Sequence, residues 1–221
     1  MRSIPGSSSC FPKTVPDIVE NPLVSNDRAL NQSFLAGIDE AGRGALAGPV
    51  VVAAVILTYT HPLTKLNDSK KLSAKQRELL YEEILADALA YDIAVMDHEL
   101  VDEINVLKAS LQGMKQALDK LSPMPEKVLI DGPYVPNGMD ALAVVKGDGK
   151  HACIAAASIL AKVTRDRMMQ SFAELYPHYG FDRNKGYGSA IHLKALSVHG
   201  PCPIHRKTYS PVSQLSIWPN L

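Results

Sequence analysis

The chain has 221 residues, 46% of them hydrophobic, which is enough for one large domain with a substantial core. Its 23 basic and 23 acidic side chains balance, so the net charge indicates no class of partner. Three widely spaced cysteines argue against a disulfide framework or a zinc site, and no segment resembles a signal peptide or a membrane span, so we expect a cytoplasmic protein.

The N-terminal region and the first two strands differ sharply in composition. Residues 1–33 are rich in Ser, Pro and Asn and lack periodicity, which predicts a disordered tail, so we expect the folded domain to span 34–221. FLAGIDE (34–40) and PVVVAAVIL (49–57) have the pattern of buried strands. The loop between them is short enough to predict an antiparallel pair.

A helical region follows the first two strands. Ser73 and Gln76 have the spacing of a capping box, which predicts a helix beginning after Ser73. A short strand is expected at 91–96. From Leu100 to Leu121 apolar residues recur at steps of four and three, which predicts a long helical region with a break near Asn105.

The second half of the chain alternates strands and helices. Strands are expected at 127–131 and 142–146, a strong helix with many small residues at 151–176, and a shorter helix at 189–198. Residues from about 176 to 221 are expected to form a basic C-terminal extension that contains this shorter helix. The pattern predicts an α/β fold in which helices cover both faces of a five-stranded mixed sheet.

The glycine-rich loop after the first strand partly imitates two phosphate-binding motifs. The spacing around Gly42 and Gly44 approaches that of a P-loop and of a dinucleotide fingerprint. Both motifs require a helix directly after the loop, whereas Pro49 and a β-branched run predict a strand. Asp39 and Glu40 would also repel a pyrophosphate, so the sequence disfavours a nucleotide site.

Four carboxylates give a better hypothesis. Asp39, Asp131 and Asp148 each end an apolar, strand-like segment, and Glu40 follows Asp39. A single such Asp is better explained as a turn residue, but clustering four costs several kcal/mol unless a cation neutralises them. Oxygen ligands without His or Cys favour Mg²⁺ or Mn²⁺, and two such ions commonly cleave phosphodiesters.

The distribution of charge agrees with this hypothesis without proving it. Residues 35–145 carry ten basic and sixteen acidic side chains, whereas 146–221 carry ten basic and four acidic. An acidic central part of the chain, followed by a basic C-terminal third, is consistent with a carboxylate site next to a phosphate-binding surface. Ordinary solvated charge explains the distribution about as well.

A set of segments in a specific order carries a family resemblance. They are GIDEAGRGALAGPVVVAAVIL (37–57), LNDSKKLS (66–73), VLIDG (128–132), VVKGD (144–148), AAASILAKVTRD (155–166), NKGYG (184–188) and HRKTYSP (205–211). Over residues 34–213 the chain resembles bacterial type 2 ribonuclease H, the ribonuclease HII family. The resemblance implies a ribonuclease H-like fold with a helical C-terminal addition.

The resemblance also implies an activity. The family hydrolyses the RNA strand of RNA–DNA hybrids and nicks duplex DNA 5′ of a single embedded ribonucleotide, leaving 3′-hydroxyl and 5′-phosphate ends. It places catalysis and binding of Mn²⁺ or Mg²⁺, with two ions during catalysis, on Asp39, Glu40, Asp131 and Asp148. The aspartate at 148 indicates type 2, because the related type 3 enzymes carry glutamate there.

The resemblance further implies substrate contacts. The Gly42-Arg43-Gly44 turn is expected to contact the 2′-hydroxyl that distinguishes RNA from DNA. Tyr187 resembles the tyrosine that stacks on the deoxyribose next to the ribonucleotide. The remaining expected phosphate contacts are Lys70, Lys71, Lys185 and Arg206. Ser158, Lys162 and Arg165 fall on one helical face and are also expected at the substrate, where Lys162 and Arg165 either steady the acidic cluster or touch the nucleic-acid backbone. For any single cation, solvated surface charge is the alternative.

The expected partners are RNA–DNA hybrids and ribonucleotide-containing duplex DNA. We expect a monomeric protein that does not bind a membrane, and a contact with a sliding clamp is left open. Two other functions also stay open from the residues. A resolvase- or integrase-type nuclease of the same fold would need no 2′-hydroxyl. A non-catalytic hybrid-binding module would gain nothing from carboxylates that face phosphate.

Overall fold

A mixed sheet of five strands forms the centre of the protein, and its strand order is β3-β2-β1-β4-β5. The computed structural model describes residues 20–61 and 63–215. β2 pairs antiparallel with β1 and β3, whereas β4 runs parallel to both β1 and β5. The five-stranded mixed sheet is therefore confirmed. The strands are β1 (Leu35–Ala41), β2 (Val50–Leu57), β3 (Ala88–Met96), β4 (Lys127–Asp131) and β5 (Leu142–Val144).

Helices cover both faces of the sheet. The capping box at Ser73 and the break at Asn105 are confirmed, and Asn105 has a φ of 69° where one helix ends and the next begins. No helix in the described ranges is long and apolar enough to cross a membrane. The helices are α1 (Pro22–Arg28), α2 (Ala74–Asp87), α3 (His98–Ile104), α4 (Val106–Asp119), α5 (Ala152–Leu175), α6 (Phe181–Asn184) and α7 (Ala190–His199).

The long helix α5 packs very closely on the central strand. Ala155, Ala156 and Ala157 of α5 are fully buried against the sheet. Apolar side chains of α1 and α2 belong to the same buried cluster. A Cβ at Gly37 of β1 would lie 2.1 Å from the backbone carbon of Cys153, so only glycine fits there. Helices α3 and α4 cover the opposite face. The close packing predicted from the small residues of α5 is confirmed, and it brings this helix next to the end of β1.

The C-terminal extension has its own small core. Met169 of α5, Tyr179, Phe181 and Leu196 are buried together, and Leu46 of the glycine-rich loop joins them. The extension therefore packs beneath that loop and supports it. It begins with short 3₁₀ and α turns and contains α7, which agrees with the helical extension that was predicted.

The prediction that residues 1–33 form a disordered tail needs correction in part, because residues 20–33 are ordered and contain α1. Residues 1–19 lie outside the described residues, so a tail there stays a prediction. A seven-residue helix is too short to be stable alone. Asn21 caps it and donates to the carbonyls of Leu63 and Leu66 at 3.0 and 2.9 Å. These contacts order α1, and no periodicity in the sequence signals them.

Asp27 attaches α1 to the beginning of α5. Its buried carboxylate accepts hydrogen bonds from the Tyr59 hydroxyl at 2.8 Å and from the Cys153 amide at 2.7 Å. The His151 ring lies 2.8 Å from its other oxygen. His151, the N-cap residue of α5, makes no capping bond with its own side chain. Asp27 therefore caps this helix from a distant part of the chain.

We expect Asp27→Ala to lower the free energy of unfolding by about 3 kcal/mol, since it leaves buried donors without a partner. Urea denaturation would measure the change. Glu20→Ala is the matched control, because Glu20 forms an exposed ion pair with Arg28 and its loss should cost less than about 0.5 kcal/mol. Equal effects of the two substitutions would contradict the role given to Asp27.

Candidate active site

Three strand ends bring the predicted carboxylates to one edge of the sheet. Ile38 of β1 pairs with Ile130 of the parallel strand β4, so Asp39 and Asp131 follow side by side. Glu40 continues β1 beyond Asp39. Asp148 lies in the 3₁₀ turn Gly147–Gly149 that follows β5. Parallel strands therefore place residues that are far apart in the sequence at a common edge.

A cavity of about 480 Å³ opens at this edge. Asp39, Glu40 and Asp131 all line it, whereas Asp148 stands beside it, 3.4 Å from the ammonium group of Lys70. Lys70 in turn lines the cavity, so it joins Asp148 to the site. The full lining is Asp39, Glu40, Ala41, Gly42, Arg43, Gly44, Ser69, Lys70, Arg77, Asp131, Ser158, Lys162 and Tyr187.

Burial and mutual repulsion raise the pKa values of these carboxyl groups. Asp39 is only 5% exposed, and burial raises its pKa well above the usual value, with further increases from the charges of Glu40 and Asp131. Burial also raises the pKa of Glu40, which the guanidinium of Arg43 opposes at 3.0 Å. The pKa of Asp148 is raised by burial, and Lys70 opposes the shift. The site therefore holds negative charge at a cost in free energy.

Each carboxylate currently has a local partner. The Glu40 amide donates to Asp39 at 2.7 Å, and the Gly147 amide donates to Asp131 at 2.7 Å. Within residues 20–61 and 63–215, no three His, Cys, Asp or Glu side chains already stand as a ready set of metal ligands. Oxygen Oε2 of Glu40, however, is buried without any hydrogen-bond partner. The possible metal ligands here are all carboxylate oxygens, and one of them has no partner. Such a set fits a hard divalent cation.

Gly42 and Gly44 of the loop are glycines for different physical reasons. Gly42 has a φ of +99°, and a Cβ there would lie 2.1 Å from the Nε atom of Arg165. Gly44 has no protein atom within 4 Å of its potential Cβ and lines the cavity. Gly42 is therefore required by the fold, whereas Gly44 leaves space for another molecule to approach the backbone.

The predicted substrate contact of Arg165 and the predicted phosphate contact of Arg206 are wrong. Both side chains are fully buried, and their guanidinium groups hold backbone carbonyls instead of facing solvent. Burial lowers the pKa of Arg165 to about 10 and also lowers that of Arg206. Arg165 donates to Pro49, Ala47 and Lys185, and Arg206 donates to Gly48 and Arg43. The positive charge of these two residues suggested contact with nucleic acid, but in the structure their guanidinium groups stabilise the glycine loop.

The remaining predicted contacts divide into two groups. Lys70, Ser158, Lys162 and Tyr187 line the cavity with the Gly42-Arg43-Gly44 turn, and the residue Tyr187 is 38% exposed. Lys71 is exposed outside this lining. The Lys185 ammonium binds the carbonyl of Asp182 at 2.7 Å and the side chain of Gln170 at 3.3 Å, away from the carboxylates.

Two polar cavity residues, and the small Ala41, were missed from the sequence. Ser69 lies 3.0 Å from Ser158, oxygen to oxygen, and Arg77 donates to the Ser69 carbonyl at 2.9 Å. Arg77 thereby attaches the 3₁₀ turn Ser69–Lys71 to α2. The segment 66–73 was part of the family pattern, but only the three-dimensional path of the chain shows that its serine meets α5.

Comparison with known proteins agrees with this arrangement. The family model for Ribonuclease HII matches residues 36–212. A ribonuclease HII of Marinomonas sp. (strain MWYL1) is 55% identical over 196 residues, which cover 88% of this chain and 98% of that protein. This relationship decides against the resolvase and the non-catalytic hypotheses.

Solved structures show the same fold. The ribonuclease H2 of Pyrococcus horikoshii OT3 matches with a TM-score of 0.70 and 26% identity, over 82% of this chain and 96% of that one. The ribonuclease HII of Archaeoglobus fulgidus, solved in complex with PCNA, matches with a TM-score of 0.65 and 33% identity, over 80% and 95%. The predicted ribonuclease H-like fold is confirmed. With its sheet-edge carboxylates and this similarity over nearly the whole folded region, the chain belongs to the ribonuclease HII family and is a ribonuclease H.

Proposed function

We propose that this ribonuclease H hydrolyses the RNA strand of RNA–DNA hybrids and nicks duplex DNA 5′ of a single embedded ribonucleotide, leaving 3′-hydroxyl and 5′-phosphate ends. Two divalent cations, Mg²⁺ or Mn²⁺, would be held by Asp39, Glu40, Asp131 and Asp148. The observation that carries the proposal is the unpartnered, buried Oε2 of Glu40 in a cavity shared with Asp39 and Asp131.

The chain's own groups would supply the positions and charges that the reaction needs. When bound, divalent cations polarise the scissile phosphate, lower the pKa of the attacking water and stabilise the departing 3′ oxygen. Asp39 and Glu40 lie on the central strand β1, where both pair with β2 and the preceding Ile38 pairs with β4, so their backbone is held in place. The exposed ammonium of Lys70 lines the same cavity and adds positive charge for the phosphate backbone.

Recognition of ribose would come from the walls of the cavity. Gly44 leaves its backbone open on this side, so amides of the Gly42-Arg43-Gly44 turn are placed to bind a 2′-hydroxyl. The exposed ring of Tyr187 lines the same cavity and would stack on the neighbouring deoxyribose. Its centroid lies 5.8 Å from the ammonium of Lys162 and 5.3 Å from the guanidinium carbon of Arg165, so two cations stand over the ring.

Other expectations about partners stay predictions. The Archaeoglobus fulgidus relative was solved in complex with PCNA. For this chain, the monomeric state is a prediction, and a contact with a sliding clamp stays open.

We expect Asp39→Asn and Asp131→Asn each to reduce nicking of a duplex with one ribonucleotide by at least about a thousandfold, because several kcal/mol of metal-dependent stabilisation is lost. Substrate binding should largely persist. Mapping the cleaved ends, with Mn²⁺, with Mg²⁺ and with EDTA, measures both the rate and the position. Asp140→Asn, on an exposed loop residue, is the matched control.

The wild-type protein should leave an all-DNA duplex intact and should require the cation. Undiminished nicking by either variant would refute the assignment of the carboxylates. Equal cleavage of the all-DNA duplex would refute recognition of ribose.

In EDTA, the contribution of Asp39 to the free energy of unfolding should fall as pH rises. The pKa of Asp39 is raised above 3.8, so above this pH the folded state binds more protons than the unfolded state. The free energy of unfolding therefore decreases through that window and stays lowered above it. Asp39→Asn removes the charge, and we expect it to increase the free energy of unfolding by about 1–2 kcal/mol at pH 8 and by less at pH 4.

Urea denaturation at both pH values checks this, with Asp140→Asn as the control that should change neither. Loss of stability in Asp39→Asn at pH 8 would show that the carboxylate is not strained in the absence of cations.

A further inference from the structure

Two buried histidines of the C-terminal extension form a direct pair that the proposed chemistry does not use. His192 of α7 and His205 are both fully buried, and their Nε2 atoms lie 2.9 Å apart. Neither residue lines the carboxylate cavity. A buried polar pair of this kind needs a consistent set of donors and acceptors, since an unmatched group would be costly.

The neighbouring backbone groups determine which nitrogens carry protons. The Tyr187 carbonyl, which can only accept, lies 3.0 Å from Nδ1 of His192, so this nitrogen carries a proton and donates. In the neutral ring Nε2 of His192 then accepts from Nε2 of His205, which leaves Nδ1 of His205 without a proton. That nitrogen accepts from the Cys202 amide at 2.9 Å, and the Cys202 carbonyl and sulfur each lie 3.1 Å from it. One directional chain runs from Cys202 through both rings to Tyr187.

The opposite arrangement fails at the Tyr187 end. If Nδ1 of His205 carried the proton, it would donate to the Cys202 carbonyl at 3.1 Å, and the Cys202 amide would lose its acceptor on this ring. With Nε2 of His192 then donating, Nδ1 of His192 would present a lone pair to the Tyr187 carbonyl. The directional chain is the one arrangement of two neutral rings that satisfies the amide of Cys202 and the carbonyl of Tyr187 together.

The surroundings keep the pair neutral and in place. The ring of Tyr179 lies 4.9 Å from His205, and that of Phe181 lies 5.3 Å from His192, centroid to centroid. Burial lowers the pKa of His205 to about 4, with a further contribution from His192, and it also lowers the pKa of His192. At neutral pH the hydrogen bond between the rings is therefore a bond between uncharged groups.

The same pair joins two walls of the cavity. His205 forms a β-bridge with Ala47, which belongs to the loop that begins at Gly42. The Leu46 amide of the same loop donates to the carbonyl of Gly186, the residue before Tyr187, at 2.8 Å. His192 holds the carbonyl of Tyr187 itself. The position of the tyrosine relative to the glycine loop is thus linked through the two rings.

We propose that His192 and His205 are positioning residues that hold Tyr187 at the distance from the glycine loop at which its ring meets the deoxyribose beside a ribonucleotide. This inference rests on the proposed function and on the role given there to Tyr187. It makes the pair a determinant of specificity: a continuous RNA–DNA hybrid has no deoxyribose at that place, so its cleavage depends less on the pair.

A matched pair of substitutions at His205 separates this role from simple packing. His205→Gln keeps an amide donor near the position of Nε2, so it retains the bond to His192. His205→Asn keeps an acceptor near the position of Nδ1, so it retains the bond from Cys202 and loses the bond to His192. Both replace a ring with a carboxamide, and thermal unfolding would show any shared loss of stability.

The measured quantity is the ratio of kcat/KM for a duplex with one ribonucleotide to kcat/KM for a continuous hybrid. We expect His205→Asn to lower this ratio about fivefold, as for the loss of one neutral hydrogen bond, and His205→Gln to preserve it within twofold. In a Tyr187→Ala background the two variants should have the same ratio, because the ring through which they act is absent. An unchanged ratio in His205→Asn, or an equal loss in both variants, would overturn the proposal.

Nitrogen-15 NMR of the wild-type histidine rings tests the arrangement without any activity. At neutral pH we expect a proton on Nδ1 of His192 and on Nε2 of His205; the reverse tautomers would overturn the proposal. Failure of the wild-type protein to nick the single-ribonucleotide duplex would instead count against the proposed function, and the ring protonation would still decide whether the pair holds Tyr187.

Discussion

Burial of like charges at one end of the sheet is the constraint on which the site depends. Asp39 lies on β1, between β2 and β4 and beneath α5, so its carboxylate has little contact with water. Glu40 and Asp131 add negative charge to the same cavity. A fold gains no stability from such an arrangement, because desolvation and repulsion both favour the protonated forms. Its rationale is a ligand of opposite charge, and oxygen donors make that ligand a hard divalent cation.

The rest of the molecule holds the cavity walls against this repulsion. Arg165 and Arg206, both buried, donate to the carbonyls of Ala47, Gly48 and Pro49 and connect the glycine loop to α5 and to the C-terminal extension. The loop is therefore rigid although it contains glycines and has few side chains of its own to pack. Preorganised walls matter for catalysis because a donor that is already in position needs no reorganisation in the transition state.

Local patterns predicted most of the fold, since they are caused by local physics. The β-branched run of β2, the capping box at Ser73 and the stripe interrupted at Asn105 each match the structure to within a residue or two. The strand ends likewise predicted where Asp39, Glu40 and Asp131 meet. Arg165 and Arg206 were misassigned because a sequence shows charge but not the direction of a side chain. Helix α1 was missed because its order comes from Asn21 and Asp27, whose partners are distant in the chain.

Anomalous diffraction from crystals soaked in Mn²⁺ tests the central claim most directly. Manganese should occupy the cavity within coordination distance of oxygens of Asp39, Glu40 and Asp131, with the Oε2 atom of Glu40 among the ligands. A cavity without an anomalous peak at saturating Mn²⁺, or manganese bound only elsewhere on the protein, would contradict the claim that these buried charges exist to hold a cation.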